Sequence, residues 1–102
     1  MSAKDNGAPF SVTATHATAA VASNAAVTGK THYITHAACS SDKAGAILLI
    51  KQGTTTLWQM QVGAGAHDVV FDPPLPAASA ALVSAEIDGT SACKANIQGF
   101  TI

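Results

Sequence analysis

The residues with chemistry to offer are four histidines, six carboxylates and two cysteines. Their spacing decides how much of that chemistry is usable. His32 and His36 are the first candidates. On a helix they would stand one turn apart and could chelate a metal. On a strand they share a face but lie about 13 Å apart, too far for one ion. The segment Lys30–Ala38 (KTHYITHAA) is rich in residues that favour a pleated surface, so the strand is expected. Both histidines are then surface or interface residues, and only symmetry copies could bring equivalent rings together. His16 and His67 have no partner in sequence.

Other constellations fail on context. Ser, His and Asp all occur, but no G-x-S-x-G elbow surrounds any serine. Asp68 and Asp72 flank the apolar residues Val69–Phe71 of a short strand and read as solvated strand ends rather than a glycosidase pair. Gly63-Ala64-Gly65 lacks the rest of a dinucleotide fingerprint. Cys39 and Cys93 have no C-x₂-C neighbour, and no signal-like apolar region opens the chain. They read as free, small, buried residues. The expectation is therefore a non-enzyme, with no catalytic, metal-binding or cofactor-binding residue. Trp58 could serve as a sugar platform, with Tyr33 and His67 beside it. Five aromatic residues in all make a packing anchor the favoured role.

The elements behind these residues are short and of period two. Phe10, Val12 and Ala14 alternate with hydroxyl side chains. The Ala/Thr/Ser stretch from Thr15 reads as a weak or edge strand to about Val21, then a turn region ending at Thr28-Gly29. After the strand at Lys30–Ala38, Cys39–Gly45 reads as a polar loop. Ala46–Gln52 is a buried apolar run and Thr55–Val62 alternates strictly, which together give the clearest hairpin. His67–Phe71 is a further strand. Asp72–Pro76 holds three prolines and cannot continue a central strand. Leu82–Ile87 alternates up to the Asp88-Gly89 turn, and Cys93, Ala95 and Ile97 share a parity near the C-terminus. Seven or eight strands at this spacing predict an all-β antiparallel sandwich over residues 10–102, preceded by a flexible arm at 1–9. A helical hairpin of the Ala-rich stretches is the alternative; β-branched residues and missing capping boxes disfavour it.

Composition sets the outer limits. A chain of 102 residues allows one domain that buries about 60–65% of its extended-chain surface. Apolar residues are 48% of it, but 22 are alanine, so the core is thin. There is no arginine, and the net charge is −1. That gives no basic footprint for nucleic acid. No apolar run reaches the roughly 18 residues of a membrane helix. Low charge with many Ala, Ser and Thr residues yields a surface that docks closely at little entropic cost.

The stretch Gly29–Thr35, then Gly45, Ile47, Leu49, Ile50-Lys51, Gly53-Thr54-Thr55 and Trp58-Gln59, resembles a group of small tailed-bacteriophage virion proteins. Phe71, Pro74-Leu75, Val83–Glu86 and Asn96–Thr101 fit the same group. The resemblance covers about residues 28–102, and the Ala-rich segment 14–26 departs from it. It implies a jelly-roll sandwich, made in the host cytoplasm and placed on the outside of the phage head as a decoration or cement protein, commonly trimeric. Its partners would be the major capsid protein lattice and copies of itself. The alternative function is a carbohydrate-binding or adhesion module on a phage head or tail fibre.

Overall fold

In the computed structural model, which describes residues 8–102, every regular element is a strand. They are β1 (Ala8–His16), β2 (Ala19–Asn24), β3 (His32–Ser41), β4 (Ile47–Gln52), β5 (Thr55–Gln61), β6 (Gly65–Pro76), β7 (Val83–Asp88) and β8 (Cys93–Thr101). One sheet has the order β1-β8-β3-β6 and the other β2-β7-β4-β5, antiparallel throughout. Strand one pairs with eight, two with seven, three with six and four with five. That nested order is a long hairpin rolled into two layers, the jelly roll.

Parity explains the layers. Cys93, Ala95 and Ile97 of β8 face inward, as do Val83, Ala85 and Ile87 of β7 and Leu48 and Ile50 of β4. Ala20 and Ala22 of β2 are the inward pair on the least patterned strand. The larger fully buried side chains are Ile34, Leu48, Ile50, Ile97 and Val83. Phe10, Val12, Trp58, Val69 and Phe71 close the sides of this thin core.

Several sequence expectations change. β1 starts at Ala8, inside the stretch expected as an arm; residues 1–7 of that arm lie outside the described residues. The Ala/Thr/Ser segment is not one weak strand but two, broken at Ala17-Thr18, with β1 and β2 in different sheets. β3 runs on through Ser41, because Cys39 and Ser41 have inward register partners where a loop was expected. β6 extends through Pro76. Prolines are tolerated there because β6 is an edge strand, and residues 71–74 leave the ladder between the Val70 and Leu75 pairings.

A β-bulge at Thr35 matters most for side-chain placement. Ile34 pairs with Gly99 and His36 with Gln98, so Thr35 is the extra residue. It switches the parity of β3: His32 and Ile34 point inward before it, and Ala37, Cys39 and Ser41 after it.

Candidate functional site

The bulge separates the two histidines that the sequence aligns. His32 is buried, at 2% exposure, and His36 is on the other face. The expectation that His32 is a surface or interface residue is therefore wrong. Its Nδ1 lies 2.7 Å from Thr101 Oγ1 and its Nε2 2.7 Å from the Ala25 carbonyl. A carbonyl only accepts, so the ring proton belongs on Nε2 and the Thr101 hydroxyl donates to Nδ1. Phe10 meets the ring edge-on at 5.3 Å. His32 thus joins β1, β3, β8 and the loop after β2. Signals for this role are absent from the sequence, since its partners are up to 69 positions away.

His16 sits at the corner between β1 and β2. Its Nδ1 accepts the main-chain N–H of Thr18 at 3.0 Å and of Ala19 at 3.1 Å. The ring replaces the ladder where the chain changes sheets. His67 faces Cys39 across the β3–β6 ladder, and its Nε2 is buried without a hydrogen-bond partner among the described residues. Both cysteines are free and buried, as expected. Burial pushes the Cys39 thiol above its ordinary value, against a smaller opposing effect of a main-chain hydrogen bond at His67.

The carboxylates are structural pins. Asp42, in the loop after β3, accepts the Ser91 hydroxyl and the main-chain N–H groups of Thr90 (2.8 Å) and Ser91 (2.9 Å). Those bonds hold its carboxyl well below the usual carboxylate range. Asp88 takes the Lys43 ammonium and the Ile47 N–H at 3.2 Å, and the lysine lowers its pKa too. Together they clamp the loops at residues 42–46 and 89–92. Asp68 and Asp72 are exposed positions on β6. No group of three or more metal-type ligands occurs among the described residues.

Trp58 packs against the core and meets Phe71 edge-on at 5.2 Å, the packing role the sequence favoured. Tyr33 is elsewhere, stacked on Phe100 at 5.1 Å on the outer face of the β1-containing sheet. His67 is on the inward parity of β6, opposite Cys39. The platform of Trp58, Tyr33 and His67 is not assembled.

No protein-family model, curated protein or solved structure matches this chain.

Two outer sheet faces offer surfaces for contact. On the β1 sheet, Asn96 donates to Thr13 Oγ1 (2.8 Å), Ser11 Oγ and the Val12 carbonyl, and Gln98 donates to Asn96 Oδ1 (3.0 Å). These side chains form an amide and hydroxyl net, with the exposed charges of Lys94 and Asp68 on the same face. On the β2 sheet, Ala19, Val21, Ile47 and Leu49 line a shallow groove of about 330 Å³. Val21 is 47% exposed and Ile47 43%. Glu86 beside them is neutralised by Lys51 at 3.2 Å.

Proposed function

We propose that this chain is a structural protein of a tailed-phage virion, a decoration or cement protein on the outer surface of the assembled head. Its partner in this reading is the major capsid protein lattice, together with further copies of itself. The observation that carries the reading is the nested jelly-roll strand order, which agrees with the fold implied by the resemblance. The two outer faces support it in kind. They offer mostly small, uncharged or internally paired side chains suited to close, weak contacts, with Lys94 and Asp68 as the exposed charges of the β1-containing sheet. Repetition over a lattice turns such contacts into firm attachment by avidity. Co-sedimentation with capsids of its cognate phage, assembled without this chain, tests the proposal. Saturable binding of hundreds of copies per particle is the expected result. No binding, with the chain absent from mature particles, would reject it.

The stacked Tyr33–Phe100 pair supports a second reading, a glycan-binding module on a head or fibre. Glycan-array binding lost in Tyr33→Ala, with the fold retained, would favour it over the first.

A further inference from the structure

Along one side of the sandwich β1 and β2 pack on each other; along the far side β5 and β6 meet only through side chains such as the Trp58 and Phe71 rings, and neither is hydrogen-bonded to the other. The two open edges differ in chemistry. β6 carries Pro73, Pro74 and Pro76, which lack donors, and the charges of Asp68 and Asp72. Such residues block strand addition. β5 carries no charge and no proline. Its bulge lies at Leu57, so the ladder is regular from Trp58 onward, and Val62 continues the pairing by donating to the Ala46 carbonyl at 2.8 Å.

The regular stretch is Trp58-Gln59-Met60-Gln61-Val62, an apolar–Gln–Met–Gln–apolar sequence that reads alike in both directions. Trp58, Met60 and Val62 share one face and Gln59 and Gln61 the other. Met60 is 39% exposed, and Trp58 and Val62 are only half-buried. We infer that this edge binds a second copy of the chain, β5 against β5, antiparallel and centred on Met60. Two-fold symmetry then sets Met60 against Met60, each Gln59 against Gln61 and each Trp58 against Val62. Apolar side chains meet apolar ones, amides meet amides, and no charges oppose. The unpaired main-chain groups of both edges are satisfied in one eight-stranded sheet. This contact is two-fold, unlike the trimers of the proteins that the chain resembles, and it stands whether or not the virion reading does.

Sedimentation equilibrium of the full chain tests it. The wild type is expected at twice its 10.2 kDa mass. Acrylamide quenching of Trp58, the single tryptophan, should weaken as protein concentration rises. Gln59→Lys/Gln61→Lys places lysines opposite each other twice, at positions exposed in the single chain, and should halve the mass with an unchanged circular-dichroism spectrum. Gln59→Lys/Gln61→Glu opposes unlike charges and should keep the two-chain mass. A wild type at one-chain or three-chain mass, or a double-lysine variant that stays paired, overturns the inference. Dissociation of the Lys/Glu variant overturns the register.

Discussion

Gly99 stands where β1, β8 and β3 crowd at the bulge. A Cβ at this position would lie 1.9 Å from the Tyr33 carbonyl oxygen and 2.9 Å from the Phe10 ring. The oxygen is main chain and cannot turn aside. Gly99→Ala is therefore expected to cost about 3 kcal/mol, the upper part of the usual overpacking range, in urea denaturation. Asp42 gives a prediction of a different kind. Its folded-state pKa is depressed, chiefly by the Ser91 hydroxyl and the Thr90 N–H, from an ordinary 3.8. Its contribution is whole at neutral pH, where the group is ionised in both states. As pH falls below the unfolded value the unfolded chain takes up a proton that the folded chain resists, so stability declines from about pH 5 downward. The urea midpoint should drop over that range, and Asp42→Asn should flatten the drop. A variant with the wild-type slope would show that the clamp between residues 42 and 91 does not form in solution.

At the scale of elements, β2 is the strand whose placement most needs a test. Ala20 and Ala22 are its inward residues, at 1% and 0% exposure, facing Ala85 of β7 and its neighbours. Small side chains here let the sheets approach closely. Ala22→Leu should destabilise by about 1–3 kcal/mol by overpacking, while Val21→Leu on the outer face should stay within about 0.5 kcal/mol. The reverse ranking would place the strand one residue out of register, since a slip of one exchanges its faces. β7 and β8 were legible because apolar residues alternate with polar ones, and β4 because its apolar run is continuous. β1 and β2 were not separable, because Ala, Thr and Ser alternate without contrast in hydrophobicity. The bulge in β3 had no local signal either. It answers Gly99 on one neighbour and the proline-bearing excursion of β6 on the other, both remote in sequence.

For the whole molecule, the nested pairing joins the first described strand to the last, so few contacts are local. Folding is expected on the millisecond-to-second scale of β-sandwiches. The two thiols report its integrity. Cys39 and Cys93 are 6% and 5% exposed, and desolvation disfavours the Cys39 thiolate. An aromatic disulfide reagent should label neither in the native protein at neutral pH and both in denaturant. Rapid labelling of the native chain would mean that the β1–β8 seam opens readily.

Residue order along the chain already dictated a two-layer β-structure, the Ile47–Val62 hairpin and a packing role for Trp58. Each follows from hydrophobic alternation or composition, which act between near neighbours. Tertiary structure alone decided that His32 is buried, that Asp42 ties two loops, that Tyr33 meets Phe100, and that one edge lacks proline or charge while its neighbour has both. Those outcomes depend on which distant strands lie side by side, and pairing across 50 to 90 positions leaves no periodic trace in a chain built so largely of alanine, serine and threonine.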